Sequence, residues 1–220
     1  MKKLFQAIRR GDAAAVRELL EKKPELIACT AKQPPKKDDG QSPLQVALKT
    51  DHLEIAADLL DLGADVNFME AEDCASGWRG PVLHDAINAA VMNSRWNVNS
   101  QALYGGIKVF RTREEADRAY CLLKRMLDLG ADTGGVDSYG NSCVWRLCLQ
   151  ARQILPVYHH STHAVGTDRV LTPELREDLM RIFSLLHDRG MDLDYAKPGD
   201  TATVRSLYKN EPVAQFLVFD

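Results

Sequence analysis

Apolar residues fall in short paired bursts with helical spacing, and a glycine closes each pair. Leu4, Ala7 and Ile8 share one helical face, Gly11-Asp12 interrupts it, and Val16, Leu19 and Leu20 share another. The pattern is clearest from Gly40 to Asn67. Gly40 opens a turn, and Pro43 suits a first helical position because its missing N–H would be unpaired there anyway. Leu44, Ala47 and Leu48 mark a short helix. A second helix ends in Leu59 and Leu60, where Gly63 can take the left-handed conformation that closes it. Ala64-Asp65-Val66-Asn67 then turns the chain back.

The same order recurs twice in degraded form. One copy starts at Pro81-Val82-Leu83-His84-Asp85-Ala86-Ile87 and stops at Leu127-Asp128-Leu129-Gly130-Ala131-Asp132. The next starts at Tyr139-Gly140-Asn141-Ser142-Cys143-Val144-Trp145-Arg146-Leu147 and stops at Arg189-Gly190-Met191-Asp192. An incomplete fifth unit has Val204, Leu207 and Tyr208 on one face, and Asn210-Glu211-Pro212 leads into a last apolar helix with Val213, Phe216 and Leu217. Leu44 to Gly63 spans 19 residues, whereas Leu83 to Gly130 spans 47 and Val144 to Gly190 spans 46. The third and fourth units therefore carry 28 and 27 extra residues. A hidden extra repeat in each gap is the competing explanation. Neither gap contains a second start or stop signal, which favours insertion.

Part of each addition is expected to be helix. Thr112 and Glu115 form a capping box ahead of Ala116, Ala119, Tyr120, Leu123, Met126 and Leu127. Thr172-Pro173 places an N-cap before a helix-starting proline, with Leu175, Leu179, Ile182, Phe183 and Leu186 on one face. Both helices should run about two turns past a plain one. Two like-sized additions at the same place in adjacent units should lie side by side as a lateral extension, away from the turn tips.

Turn, helix, helix and glycine stop in about 33 residues resembles the ankyrin repeat family, and residues 37–69 match its consensus closely. The resemblance implies an all-α fold: an ankyrin-repeat solenoid with helix-extending insertions in two adjacent repeats. The whole chain, 1–220, would be one domain. Its units would be a cap at 1–30, the near-consensus repeat at 37–69, enlarged repeats at 75–134 and 137–195, and a second cap at 197–220. It also implies a protein-binding module that works as an inhibitor, immunity-type protein or adaptor through its concave face and turn tips, and is not an enzyme. Family partners usually contact turn tips and the exposed side of each first helix. By register those positions are Asp38, Asp39, Gln41, Lys49, Thr50 and Met69, then Gly77, Trp78, Asn88 and Ala89, then Ser138, Tyr139, Asn141, Leu149 and Gln150. Trp78 and Tyr139 have the chemistry of interface anchors, unless either ring packs on its own loop. Trp96 and Tyr104 would form either another anchor pair or a small core inside the first addition. His84 takes the slot of a histidine that usually bonds backbone between repeats, and Trp145 points into the stack.

Composition narrows the function without naming it. A formal net charge of -3, with both signs interspersed, leaves no basic stripe for nucleic acid. Met1-Lys2-Lys3-Leu4-Phe5 opens like a secretory leader, but Arg9, Arg10 and Asp12 arrive before an apolar region develops. No uninterrupted apolar stretch suits a membrane span. The five cysteines are odd in number, scattered and free of C-x-x-C spacing, which points to a reducing, cytoplasmic setting without disulfides or zinc. No nucleophile elbow or phosphate loop is present, and no cofactor is expected. The alternative function is metal binding through His159, His160 and His163, with Asp168 nearby, against the plainer reading of an exposed loop that contains histidines.

Overall fold

Local signals set the helix boundaries. The structure, a computed structural model, describes residues 1–75 and 77–219. Helices α1 (Lys2–Arg10) and α2 (Ala13–Lys22) form the first pair, α3 (Pro43–Lys49) and α4 (Leu53–Asp61) the second. Ser42 accepts from the Gln45 N–H at 3.2 Å, and the Gln45 side chain accepts from the Ser42 N–H at 3.1 Å, so two otherwise unpaired donors start α3. The third pair is α5 (Val82–Met92) and α7 (Arg113–Asp128), and the fourth is α8 (Cys143–Ala151) and α9 (Pro173–Asp188). Thr112 with Glu115 caps α7, and Thr172 caps α9. Gly63, Gly130 and Gly190 all have φ between 83 and 90, as the stop signals require. After each stop an aspartate accepts from the backbone two residues on: Asp65 from Asn67, Asp132 from Gly134, and Asp194 donates in the same way to Asp192.

The pairs pile up in chain order. In the inner row α1 packs on α3, α3 on α5 and α5 on α8, which meets α10 (Val204–Leu207). In the outer row α2 packs on α4, α4 on α7 and α7 on α9, and α9 is closed by a 3-10 helix at Pro212–Phe216. One continuous core runs through both rows, with Leu4, Leu44, Leu83, Val144 and Val204 fully covered in successive inner helices. Phe183 and Phe216 stack at 5.3 Å to close the far end. Each such side chain contributes about 1.5–3 kcal/mol by leaving water, and most of that gain needs a neighbouring layer.

Helices α7 and α9 are each 16 residues long against 9 in α4, the two extra turns expected. The fold is mainly helical, and two short antiparallel hairpins, which the sequence spacing does not predict, join inner to outer helices. Strands β1 (Asn97–Ser100) and β2 (Gly106–Val109) flank the short helix α6 (Gln101–Tyr104), and β3 (Tyr158–His159) pairs with β4 (Ala164–Val165). Trp96 stacks on Phe110 at 4.4 Å and Tyr104 meets Phe110 edge-on at 6.0 Å, so these rings form a small core within the first hairpin segment. The last unit also differs from expectation. Only Val204 and Tyr208 of its predicted face are buried, because α10 ends after one turn and leaves Leu207 exposed. Val213, Phe216 and Leu217 are buried as expected, but the 3-10 helix, not an α-helix, carries the first and second of them.

The two hairpin segments lie side by side and bond to each other. The Asn99 N–H donates to Asp168 O at 2.7 Å, and the Asn97 amide exchanges hydrogen bonds with the Val170 backbone at 2.7 and 2.9 Å. Beneath them Asp178, almost fully covered, accepts from the Arg95 N–H and from its guanidinium at 2.8 and 2.9 Å. Arg181 reaches the same carboxylate at 3.2 Å. Asp178→Ala leaves two largely covered cations without their shared acceptor, so it should cost about 3 kcal/mol. Asp117→Ala, which breaks a more exposed pair with Arg181, should cost less than about 1 kcal/mol. Urea unfolding of both variants, read as midpoint shifts at constant slope, checks the difference.

Candidate functional site

The turns before α5 and α8 bring charged residues of the second and fourth units onto one indole of the third. Trp78 lies in the loop leading to α5. The Lys49 ammonium, at the end of α3, sits 4.8 Å from its ring centroid, and the Arg146 guanidinium, from α8, sits 5.2 Å from it. Indole Nε1 donates to Asp137 at 3.2 Å, and Arg146 pairs with the same carboxylate oxygen at 2.9 Å. A ring face attracts cations, so one indole orients both heads. Asp137 is a hub: it also accepts from the backbone N–H groups of Tyr139 and Asn141 and from the Asn141 amide. Burial alone would raise its pKa, but the donors from Asn141, Trp78 and Tyr139 outweigh burial and hold the carboxyl below its ordinary value.

Two further carboxylates lie behind the indole. Glu70 accepts from the Gly80 N–H at 2.9 Å and from Gln41 Nε2 at 3.4 Å. Asp85, on α5, is buried, and its Oδ2 has no hydrogen-bond partner among the described residues. Lys49 reaches Glu70 at 3.9 Å and Asp85 at 3.8 Å. Burial pushes the Asp85 carboxyl up to about 7, with Lys49 pulling the other way and Glu70 adding to the rise. The adjacent His84 is also fully buried, and burial holds it down at about 4, so it stays neutral.

Gln45, His84 and Trp145 hold one register position in successive units. Gln45 Nε2 donates to Gly80 O at 3.2 Å and Trp145 Nε1 to Tyr195 O at 3.2 Å, each on the backbone of the following turn. The expected backbone bond of His84 is not formed. Both its ring nitrogens lack a partner in bonding geometry among the described residues, although the Gly135 backbone is close enough to favour its protonated form.

The expected contact positions divide into three groups. Lys49, Trp78, Ser138 and Tyr139 come together: Ser138 exchanges bonds with the Arg79 backbone at 2.9 and 3.2 Å, and Tyr139 stands 65% exposed beside Asp137. Asp38, Gln41 and Asn141 are corrections, because their side chains are buried in internal contacts, Asp38 with Arg9 at 2.6 Å. Trp78 is likewise half-buried between cations and is no free anchor, and Ala89 is buried in the core. Of the others, Asp39 accepts from the Ala75 and Gln33 N–H groups and Thr50 bonds back to Val46 O, while Asn88, Leu149 and Gln150 are half-buried along the inner row and Met69 is half-buried in the turn between α4 and α5. Gly77 is exposed. Sequence reasoning missed Glu70, Asp85, Asp137 and Arg146. One available signal was register, since Asp85 and Arg146 take the place that Val46 fills in unit two.

The histidine cluster does not assemble. His160 faces Glu211 at 3.4 Å, His163 faces the Tyr158 hydroxyl at 3.3 Å, and no group of three or more potential ligands among the described residues could hold a metal ion. The alternative reading of a metal centre is therefore corrected. Cys143 and Cys148 are buried, and burial raises both thiols well above a reactive range. No helix of the described residues is long and apolar enough to cross a membrane.

Asp85 carries a pH signature with a definite sign. Its folded pKa lies above the unfolded value of about 3.9, so its favourable contribution is complete below about pH 4 and is lost as pH rises through about 7. Asp85→Asn keeps the neutral shape. It should therefore exceed the wild type in stability by about 2–4 kcal/mol near pH 8, and the gain should vanish towards pH 4. Urea unfolding of both proteins across that range, taken as a difference, removes the opposite trend from His84.

A family model described as ankyrin repeats (3 copies) matches residues 2–70. No curated protein matches the chain. The match covers the first two helix pairs and the turn that carries Glu70, and the later pairs repeat the same start, stop and stacking order. Residues 2–70 are therefore similar to ankyrin repeats, and the later helix pairs are arranged in the same way.

Proposed function

We propose that residues 1–220 form one ankyrin-repeat domain, enlarged by insertions in the units at 75–134 and 137–195, that binds a specific protein partner and carries out no catalysis. Ankyrin repeats generally mediate protein–protein interaction and are typically non-enzymatic, which gives the class of function. The observation that carries the reading for this chain is the preorganised patch around Trp78. Lys49 and Arg146 are fixed on one ring, and Tyr139 projects beside them with 65% of its surface free. A rigid aromatic with a polar tip, set among oriented cations, loses little freedom on binding. The carboxylates Glu70, Asp85 and Asp137 are buried behind these cations, so the accessible heads are basic and suit an acidic partner face. Roles as inhibitor, immunity-type protein or adaptor all fit such a surface. Five free cysteines suit the cytoplasm as its place of work.

Affinity capture from a lysate of the encoding organism should recover a partner, and calorimetry should then measure its binding directly. Tyr139→Ala is expected to weaken that binding by about tenfold or more while leaving stability within about 0.5 kcal/mol. Unchanged affinity would move the contact off this face.

A further inference from the structure

The first hairpin leaves one strand edge open, and its hydrogen-bond phase is fixed by two observed bonds. The Phe110 N–H donates to Trp96 O at 3.0 Å, which makes Trp96 and Phe110 a hydrogen-bonded antiparallel pair. With Asn97 opposite Val109 and Asn99 opposite Ile107, alternation makes Val98–Lys108 the next bonded pair. The backbone groups of Asn97, Asn99, Ile107 and Val109 therefore point away from the β1–β2 ladder. Those of Asn99 confirm the phase, since its N–H donates outward to Asp168 at 2.7 Å. On the other side, no described residue accepts from or donates to the backbone of Ile107 or Val109. Their side chains are 51% and 48% exposed.

We infer that β2 is a docking edge for an extended protein segment that adds as an antiparallel strand, with an acidic residue opposite Lys108. The inference rests on the protein-binding reading above but names a different surface. Edge strands are open to pairing unless guarded, and Lys108 sets which strand is accepted. Its ammonium lies 4.9 Å from the Tyr104 ring and 5.3 Å from the Phe110 ring, and no carboxylate among the described residues pairs with it. A second copy of this chain is disfavoured as occupant. The register that uses Ile107 and Val109 of both copies sets Lys108 directly against its twin, a like-charge cross-strand pair. A carboxylate at that place turns the repulsion into attraction, and β-branched neighbours would lie against Ile107 and Val109.

The test uses the full chain and a capped peptide of roughly seven residues, alternating threonine and valine around a central glutamate. Amide NMR titration should show shifts centred on Ile107 and Val109, with slowed exchange of those two N–H groups. Val109→Pro removes only an outward N–H, so it should weaken binding by about tenfold and leave the Trp96–Phe110 bond intact. Lys108→Glu should weaken the glutamate peptide and favour its lysine counterpart. Tyr139→Ala should bind the peptide like the wild type, which separates this surface from the turn patch. Absence of shifts at millimolar peptide, or equal preference of Lys108→Glu for both peptides, overturns the inference. So does sedimentation showing a dimer that Val109→Pro dissolves.

Discussion

Each helix pair has two apolar faces and can bury only one of them within itself. That constraint organises the molecule: every layer must be covered by the next, and whatever lies between layers is removed from water. Apolar side chains meet the demand simply, as Leu44, Leu83 and Val144 do in successive inner helices. Polar residues caught between layers need a partner supplied by a neighbour. Gln45 and Trp145 each find a carbonyl in the following turn, and Asp178 finds Arg95 from the layer before it. Most long-range polar contacts in this chain are therefore joints between layers as well as features of a site.

The same constraint accounts for the Trp78 patch. Replacing an apolar inner-row position by Asp85 and Arg146 puts charge where stacking excludes water. The chain answers by gathering opposite charges from adjacent turns: Asp137 for Arg146, Lys49 for Asp85 and Glu70. The compensation is uneven. Asp137 has a full set of donors and stays ionised, whereas Asp85 has an oxygen without a donor and keeps its proton to about pH 7. A neutral His84 beside it adds no charge to help. A surface built above such a group is ordered by electrostatics that burial strengthens, and apolar packing alone would not fix the two cation heads.

Much of this was legible from spacing alone. Capping residues act within three positions of themselves, so Ser42–Gln45 and Thr112–Glu115 could be read locally, and so could the glycine stops. The surplus length between start and stop predicted long outer helices, and α7 and α9 have that length. The hairpins were not legible, because strands of four and two residues carry too little alternation, and their stability comes from Phe110 on Trp96 and from pairing with the neighbouring hairpin segment. The candidate site was read only in part. Tyr139 and Lys49 follow from register, but burial of Asp38, Gln41 and Asn141 depends on partners or packing that register cannot report, such as Arg9 for Asp38 and Glu70 for Gln41.

The geometry also separates two surfaces that one chain could use at once. Trp78 precedes α5 and the first hairpin follows it, so the 11 residues of that helix, about 16 Å of rise, stand between the turn patch and the lateral extension. The patch depends on three successive turns and would be disturbed by any slip between layers. The extension has its own ties, Asn97 to Val170 and Arg95 to Asp178, and its own aromatic core. Both hairpins lead into the outer helices α7 and α9, which are longer than α4, where no hairpin precedes. Lengthened helices without hairpins would expose their added apolar faces, and hairpins without lengthened helices would lose the Asp178 joint. The two features are therefore one structural unit, and a partner that reaches the hairpin edge meets a platform held by adjacent layers of the stack.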